Sequence, residues 1–532
     1  MKNINIRNLK KHYGDRLILD IQNLNIASED KIGIVGKNGA GKSTLMKILI
    51  DVEKDYSGKV VTVGSIGYIP QLENDFSNYN NNNEYKKLGS IRVHKNMSGG
   101  ESTKAKITEA LSKNPDILFA DEPTANLDSE SIKVLESELV SFRGIVVLIS
   151  HDVILLDKVC NKIIEIDNGK CKIYKGNYSD YKEEKEKILK NKKLEYDKYV
   201  VKRENLENAY RKKLGVAISS NKSPRSMGNS EARNNKLVVK QKSGKISLQA
   251  KKLKSRIDRL EKADKVYEED DIKIDLADNL KIKAKILIEA NDLDKSFTDK
   301  KLLDKAKFNI RNNTKTALLG SNGSGKTTLL RMILNDENIK KNPSLKIGYI
   351  DQNTQYLNNE RSILENVMED TVHDETIVRT VLARLLFKRE DLNKSAKLLS
   401  GGERVKLALA KIITGKYNYI IMDEPTNYLD IYSREALINV VKDYKGGVLF
   451  VTHDRDMIEK VADNIMKIKD KKVEVFEGTY SEYEEQENNK AKPQDSLLFE
   501  IKISEILGKM SVENISCEEK ERLEKEYQRL ME

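Results

Sequence analysis

One eight-residue pattern, G-x-x-x-x-G-K-[S/T], occurs twice in the chain and constrains its fold more than any other feature. The first copy is Gly36–Ser43 and the second is Gly320–Thr327. An apolar run precedes each copy and a helical pattern follows it, which is the strand–loop–helix context of a phosphate-binding P-loop. Two copies in 532 residues indicate a tandem duplication of one α/β domain.

The residues of each loop are suited to holding phosphates. Glycines allow the backbone N–H groups to turn inward, and the following helix directs its positive end at the same anion. The lysine adds a charge, and the hydroxyl after it is a ligand for Mg²⁺. We expect nucleotide contacts from Gly36, Asn38, Gly39, Gly41, Lys42, Ser43 and Thr44, and from Gly320, Asn322, Gly323, Gly325, Lys326, Thr327 and Thr328.

Each repeat also contains three apolar runs that end in polar side chains, in the same order. The runs predict buried strands of a largely parallel sheet, and ligands bind at the carboxyl ends of such strands. The endings are Gln71, Asp121-Glu122 and His151 in the first repeat, and Gln352, Asp423-Glu424 and His453 in the second.

These endings predict the hydrolytic groups. Asp121 and Asp423 are expected to hold Mg²⁺ through water. Glu122 and Glu424 are expected to act as general bases on the attacking water. The histidines, His151 and His453, are placed to contact the γ-phosphate or that water.

Charge is concentrated in the middle of the chain. The net charge is +11, and residues 201–260 hold 17 lysines and arginines against 4 aspartates and glutamates. This favours a polyanionic partner, nucleic acid first, although a solvated helix with no partner has the same pattern. The sequence has no 18-residue apolar run and no signal-peptide pattern at its start, and its cysteines are Cys160, Cys171 and Cys517. We therefore expect a cytoplasmic protein.

The segment between the repeats predicts a hairpin of two long helices. Apolar residues recur at helical spacing in both halves: Tyr199, Leu206, Tyr210 and Leu214, then Ala250, Leu253, Ile257 and Leu260. Residues 215–235, rich in Ser and Asn and containing Pro224, predict a loop at the tip. About 36 residues per helix would hold this basic tip roughly 54 Å from the P-loops. The tail after residue 485 predicts a further helical pair.

Taken in order, the motifs resemble those of the ATP-binding cassette superfamily, and the resemblance covers both repeats. It includes Ser98-Gly99-Gly100-Glu101 and Ser400-Gly401-Gly402-Glu403, each placed between the Gln-ended and the D-E-P-T strands. The resemblance implies head-to-tail pairing within a monomer, with each of two Mg-ATP held by the P-loop of one cassette and the Ser-Gly-Gly of the other. At each site Mg²⁺ would be surrounded by a P-loop hydroxyl, a glutamine and an aspartate: Ser43, Gln71 and Asp121 at the first site, and Thr327, Gln352 and Asp423 at the second. Tyr13 and Phe297 match the family's adenine-stacking aromatics.

Two cassettes in one chain, joined by a basic helical linker, are similar to the ABC-F proteins. The resemblance implies an ATPase that binds the 70S ribosome at the tRNA exit site, beside P-site tRNA, and points its linker toward the peptidyl-transferase centre. The long tip and the tail are similar to antibiotic-resistance members, which displace lincosamides, pleuromutilins and streptogramin A. Tip residues that would approach that centre are Lys222, Arg225, Ser226 and Met227.

The resulting domain hypothesis has four parts: a cassette at 1–181, a linker at 182–285, a cassette at 286–485 and a helical extension at 486–532. The interval from Gln71 to Ser98 is short, which predicts a reduced helical subdomain and leaves little room for an arm insertion in the first cassette. A housekeeping ABC-F translation factor, a transporter ATPase subunit and a DNA-repair ATPase remain alternative functions.

Overall fold

The computed structural model describes residues 2–70, 103, 107, 110–111, 114–125, 127–220, 245–260, 281–297, 300–335, 338–351 and 356–491. Contacts divide the chain into two compact units. The first unit combines Met1–Asn177 with Asp271–Glu532 and so contains both repeats, and the second unit is Tyr178–Asp270. None of the helices among the described residues has the length and apolar character needed to cross a bilayer.

The first repeat contains one antiparallel sheet and one mostly parallel sheet. Its strands are β1 (Asn3–Tyr13), β2 (Arg16–Ile26), β3 (Lys31–Val35), β4 (Ser57–Val63), β5 (Ile66–Ile69), β6 (Ile117–Asp121), β7 (Ile145–Ile149), β8 (Lys162–Asp167) and β9 (Lys170–Lys175). Its helices include α1 (Lys42–Leu49), α2 (Ser129–Ser141) and α3 (Val153–Val159). The antiparallel sheet has the order β2-β1-β4, and the other has the order β5-β6-β7-β3-β8-β9.

The second unit is a helical hairpin, as the sequence predicts. Helix α4 is Tyr178–Ser220, and helix α5 covers residues 245–258. Nζ of Lys213 donates a 3.0 Å hydrogen bond to Oε1 of Gln249. This bond joins α4 to α5 close to their connection, as an antiparallel pair requires.

One part of the tip prediction was wrong. Residues 215–220 belong to α4 and not to a loop. A single glycine, Gly215, costs a helix only about 1 kcal/mol relative to alanine. The apolar and small residues that follow it can continue the helix. Residues 221–235, including Lys222, Arg225, Ser226 and Met227, lie outside the described residues.

The second repeat has the same architecture. Its strands are β10 (Ile286–Phe297), β11 (Lys300–Arg311), β12 (Lys315–Leu319), β13 (Lys340–Lys341), β14 (Ile347–Ile350), β15 (Tyr419–Asp423), β16 (Gly447–Val451), β17 (Asn464–Lys469) and β18 (Lys472–Glu477). Its helices are α6 (Lys326–Asn335), α7 (Ile363–Met368), α8 (Glu375–Arg384), α9 (Gly401–Thr414), α10 (Ile431–Asp443), α11 (Arg455–Val461) and α12 (Tyr480–Ala491). The sheets have the orders β11-β10-β13 and β14-β15-β16-β12-β17-β18.

The predicted parallel strands form the centre of each repeat. β6, β7, β15 and β16 are buried along their whole length. Strands buried on both faces need continuous apolar sequence, which is why these runs could be recognised without a period-two pattern. Their side chains build the cores, for example Phe119 and Val147 in the first repeat and Phe450 in the second.

The predictions for the segment after Gln71 and for the tail lie mostly outside the described residues. The structure describes little between residues 70 and 114, so the reduced helical subdomain remains a prediction. In the second repeat the corresponding segment contains α7 and α8 together with short 3₁₀ turns at Arg389–Asp391 and Ala396–Leu398. Helix α12 enters the predicted extension and ends at Ala491.

Candidate active sites

The sheet order brings the predicted polar endings to one edge. β6, β7 and β3 are neighbours in the first repeat, and Asp121 is in register with Ile149. The residues that follow these strands are Glu122, His151 and the first P-loop. The second repeat repeats this arrangement, with Asp423 in register with Val451. The Asp-Glu pairs and the histidines therefore lie at the same sheet edge as the P-loop of their own repeat, while Gln71 and Gln352 lie outside the described residues.

Glycines of the first P-loop occupy backbone positions that other residues adopt rarely. Gly36 has φ +155°, and a Cβ there would lie 2.5 Å from the carbonyl oxygen of Ile166. Gly41 has φ +103° and is the N-cap of α1. Gly39 has φ +75°, and no atom lies within 4 Å of where its Cβ would be. The loop is therefore packed at its base and open at Gly39, where a phosphate needs room.

A pocket of about 320 Å³ lies over this loop. Ten of its lining residues were singled out from the sequence: Tyr13, Asn38, Gly39, Gly41, Lys42, Ser43, Thr44, Asp121, Glu122 and His151. The structure adds Ile18 and Ile149 as apolar walls. Tyr13 is half exposed, and its hydroxyl donates to Oε2 of Glu53 at 3.2 Å. A flat exposed ring beside a polar pocket can stack on a base.

The P-loop lysine is buried beneath the loop. Nζ of Lys42 donates to the carbonyl oxygens of Gly36 at 2.7 Å and Lys37 at 3.1 Å. Burial lowers its pKa, while the neighbouring carboxylates of Glu122, Asp430 and Asp121 raise it. The hydroxyl of Ser43 is hydrogen-bonded to Asp121, and burial raises the pKa of that carboxyl.

Hydrogen bonds hold both the backbone and the side chain of Glu122. Its φ of +51° is unusual for glutamate, and its backbone N–H donates to the carbonyl of Ile149 at 2.9 Å. Oε2 accepts from the backbone N–H of His151 at 3.2 Å, and Oε1 is buried without a hydrogen-bond partner. Burial raises its pKa to about 7. A fixed carboxylate with a free oxygen and this pKa is suited to accept a proton from water.

His151 faces Glu122 but does not carry a charge. Its Nε2 lies 3.4 Å from Oε1 of Glu122. Burial, together with the nearby cations Arg434 and Lys42, lowers its pKa to about 3. At neutral pH the imidazole is therefore a neutral hydrogen-bonding group.

The second site has the same geometry. Glu424 has φ +52°, and burial raises its pKa to about 8. Nε2 of His453 lies 3.5 Å from Oε1 of Glu424, and burial lowers the histidine pKa to about 4. Nζ of Lys326 donates to the carbonyl of Gly320 at 2.8 Å. Thr327 is hydrogen-bonded to Asp423.

The other predicted residues of the second P-loop occupy equivalent positions. Gly320, Gly323 and Gly325 have φ of +156°, +74° and +102°, close to their counterparts in the first loop. Asn322 lies between the first two, and Thr328 follows Thr327 in α6.

Contacts between the two repeats join the first P-loop to the second repeat. The backbone N–H of Asn38 donates to Oδ2 of Asp430 at 2.9 Å, and its side-chain amide donates to the carbonyl of Tyr428 at 3.2 Å. A Cβ on Gly402 would lie 2.7 Å from that same carbonyl. The Ser400-Gly401-Gly402 segment therefore approaches the first P-loop through Tyr428. Ser400 is the N-cap of α9 and forms a capping box with Glu403.

Several predicted site residues cannot be placed. Gln71, Ser98, Gly99, Gly100 and Gln352 lie outside the described residues. Phe297 is the last residue of β10, and its side chain is not described. Their roles remain predictions.

Sequence reasoning missed a group of charged residues between the repeats. Nη1 of Arg434 donates to the carbonyl of His151 at 2.9 Å. Arg455 bonds Glu136 and lies 3.4 Å from Asp152. Comparing the two repeats position by position would have revealed the arginines, because Ile132 and Val153 stand at the equivalent places in the first repeat.

The residues present fit a magnesium nucleotide. Oδ1 of Asp423 is buried without a hydrogen-bond partner, and each site pairs one carboxylate with one hydroxyl. Among the described residues, no cluster of three or more His, Cys, Asp or Glu could hold a metal without help. Mg²⁺ commonly takes one or two protein oxygens together with phosphate oxygens and water, so this sparse set is sufficient when nucleotide is bound.

Comparison with known proteins agrees with the motifs. A family model described as ABC transporter matches residues 19–125 and 303–427, and a second model with the same description matches 164–225. The chain is similar to "Ribosome protection protein VmlR" of Bacillus subtilis, with 30% identity over 96% of this chain and 93% of the relative. It is also similar to "Energy-dependent translational throttle protein EttA" of Escherichia coli K12, with 29% identity over 86% of this chain and 90% of the relative.

A solved structure supports the fold. The chain is similar to a structure described as "RNase-L Inhibitor", with a TM-score of 0.56 and 18% identity over 90% of this chain and 91% of that one.

Proposed function

Because this chain belongs to the ABC-F family of tandem ATP-binding cassette proteins and is an ATPase, we propose that it acts on the ribosome. In this proposal it works as a cytoplasmic monomer in which the two cassettes pair. It enters the tRNA exit site beside P-site tRNA and directs its hairpin toward the peptidyl-transferase centre. There it displaces bound antibiotics of the lincosamide, pleuromutilin and streptogramin A classes.

The geometry supports hydrolysis at both sites. Bound Mg²⁺, held by Ser43 and Asp121 or by Thr327 and Asp423, would neutralise phosphate charge. Oε1 of Glu122 is free to accept the proton of the attacking water, and Glu424 is its counterpart. The neutral histidines donate or accept a hydrogen bond without adding charge to the site.

The hairpin is the observation that carries the ribosome proposal. Residues 201–260, with 17 basic and 4 acidic side chains, span the end of α4, the connection and α5. Clustered lysine and arginine on helices favours binding to the phosphate backbone of nucleic acid. A relative named for ribosome protection aligns with this segment as part of a match over 96% of the chain.

A housekeeping role in translation is the second candidate. EttA is named as a translational throttle protein and is 29% identical, against 30% for VmlR. Identity this similar does not separate the two roles. In the housekeeping alternative the same ATPase and the same hairpin would act on translation without drug, so the two candidates differ in drug resistance alone.

Co-sedimentation tests ribosome binding. The Glu122→Gln, Glu424→Gln double variant should bind ATP without hydrolysing it and should remain with 70S particles, whereas wild-type protein should be released after turnover. Lys42→Ala with Lys326→Ala is the matched control, since it lacks the phosphate-binding charges. If the double variant did not co-sediment with 70S particles in the presence of ATP at physiological salt, the ribosome proposal would be refuted.

A drug-susceptibility panel separates the two candidates. Cells expressing the chain should resist at least one of a lincosamide, a pleuromutilin and streptogramin A, by about fourfold or more. Replacing residues 219–230 with a Gly-Ser segment of equal length should abolish resistance and leave basal ATPase activity unchanged. Binding to ribosomes without resistance to any drug would favour the housekeeping role, and resistance that survives the replacement would contradict a role for the tip.

A further inference from the structure

The two repeats differ at one position that faces an active site. Arg434 lies four residues after Asp430, and Ile132 lies four residues after Asp128. Both aspartates are N-caps, of α10 and α2 respectively, so the two positions are structurally equivalent. Isoleucine has no hydrogen-bond donor in its side chain. Whatever Arg434 does for the first site, Ile132 does not do for the second.

Arg434 contacts the backbone that supports Glu122. Its Nη1 donates to the carbonyl of His151 at 2.9 Å. The backbone N–H of the same histidine donates to Oε2 of Glu122 at 3.2 Å. His151 is thus held on one side by the glutamate of its own cassette and on the other by an arginine of the opposite cassette.

The arginine is fixed in place by burial and by a second partner. Its side chain is 15% exposed, and Nη1 also lies 3.2 Å from Oδ2 of Asp454, whose side chain is 6% exposed. Asp454 follows His453 directly and caps α11. A buried charge pair of this kind keeps its geometry better than an exposed one.

We propose that Arg434 is a positioning residue, supplied by the second cassette, that orients Glu122 for hydrolysis at the first site through the backbone of His151. The bond joins the two cassettes, so hydrolysis at the first site depends on their contact in a way that the second site does not share. The two sites are therefore built unequally although their motifs match. This inference rests on the ATPase activity and is independent of ribosome binding.

Single-site variants separate the two activities. Glu424→Gln leaves the first site active, and Glu122→Gln leaves the second. Arg434→Gln is added to each, and acid quench measures the first turnover of ATP, because that step does not require the cassettes to reopen. We expect the first-site rate to fall about tenfold or more, since a small displacement of a general base is costly. The second-site rate and ATP affinity at both sites should change by less than about twofold.

Further variants guard against an effect of folding or of a weaker interface. Arg434→Gln leaves Asp454 unpaired, so the double variant with Asp454→Asn removes that charge and keeps an N-cap. Arg434→Lys retains a donor and should recover the first-site rate at least in part. Tyr432→Phe removes another bond between the cassettes, from its hydroxyl to Oε1 of Glu165 at 2.9 Å, without reaching His151.

The outcomes are distinct. A selective loss at the first site, present also in the double variant and absent in Tyr432→Phe, supports the proposal. Equal slowing of both sites would show that Arg434 only stabilises the interface. An unchanged first-site rate would show that His151 is held well enough without it. Either of these results overturns the proposal.

Discussion

Oε1 of Glu122 lies 3.4 Å from Nε2 of His151, yet the two groups do not form an ion pair. Burial raises the carboxyl pKa to about 7 and lowers the imidazole pKa to about 3. The histidine is already neutral at every pH at which the carboxylate is charged. The same holds for Glu424, with a pKa of about 8, and His453, with a pKa of about 4. Each pair is a general base beside a neutral imidazole.

The first prediction concerns the neutral histidine. In the Glu424→Gln background, His151→Gln should lower first-site turnover by the same factor at every pH from 6 to 9, because no proton on the imidazole titrates there. His151→Ala should lower turnover further, since it removes hydrogen bonding as well. Rates measured across this range provide the check. A ratio of wild type to His151→Gln that changes about tenfold per pH unit would show that a charged histidine takes part.

The second prediction concerns the stability of the nucleotide-free protein. The folded pKa values of Glu122 and Glu424 are raised above the ordinary 4.5. Each protonated carboxyl contributes to the free energy of unfolding. This contribution is fully present below pH 4.5 and is lost as the pH rises from there through 7 to 8. Glutamine cannot ionise and avoids this loss. The gain in free energy of unfolding from Glu→Gln should therefore grow between pH 5 and 8, toward roughly 3 kcal/mol for a shift of this size.

Thermal unfolding from pH 5 to 9 tests this. Glu424→Gln should raise Tm by a few degrees at pH 8 and by little at pH 5. Glu138→Gln, at an exposed position on α2, is the control and should show no such dependence. A gain that is equal at both pH values would indicate that the glutamates are already charged in the folded protein at pH 5.

Much of this site could be predicted because each of its parts is encoded by a short, continuous sequence motif. Parallel strands buried on both faces require apolar runs, and a polar residue such as Asp121 or His151 then marks where the strand ends. The glycine pattern of the P-loop records backbone angles that few other residues adopt. Gly36 and Gly320, with φ of +155° and +156°, show that the two copies of the motif encode the same turn.

The features that could not be predicted depend on tertiary contacts. The D-E-P-T motif does not predict that Glu122 and Glu424 have φ near +50°. Glutamate rarely adopts this conformation, and the surrounding fold imposes it. The partners of Arg434 lie 283 residues away at His151 and 20 residues away at Asp454, in different cassettes. Such pairs follow from domain packing and leave no local pattern.

The third prediction separates two roles of glycine in the P-loop. Gly36→Ala would place a methyl 2.5 Å from the carbonyl oxygen of Ile166, so it should lower Tm by more than about 5 °C. Gly39→Ala meets no atom within 4 Å, so its cost should be limited to backbone strain of about 1 kcal/mol. Its methyl instead enters the open space over the loop and should weaken ATP binding about tenfold or more. Tm and the Kd of a fluorescent ATP analogue, measured for both variants, test this division. Normal ATP binding by Gly39→Ala would contradict it.

The fourth prediction isolates the bond between Asn38 and Asp430. Oδ2 of Asp430 accepts from the backbone of Asn38 at 2.9 Å, while Oδ1 accepts from the backbone of Ser433 at 2.8 Å. Asp430→Asn keeps one oxygen for the cap and turns its amide nitrogen toward Asn38. That nitrogen cannot accept the hydrogen bond from the backbone N–H of Asn38. Tm should therefore change little, and ATP affinity at the first site should fall about tenfold or more, as expected for losing a hydrogen bond to a charged group.

Affinity is measured in the Glu122→Gln, Glu424→Gln background so that hydrolysis does not interfere. Asp128→Asn, at the equivalent cap of α2, is the matched control and should leave the first site unaffected. Asp430→Ala should add the loss of the cap, about 1 kcal/mol, to the same loss of affinity. If Asp430→Asn bound ATP at the first site as tightly as the parent while Asp430→Ala did not, the aspartate would matter to the helix alone, and the P-loop would not depend on the opposite cassette for its shape.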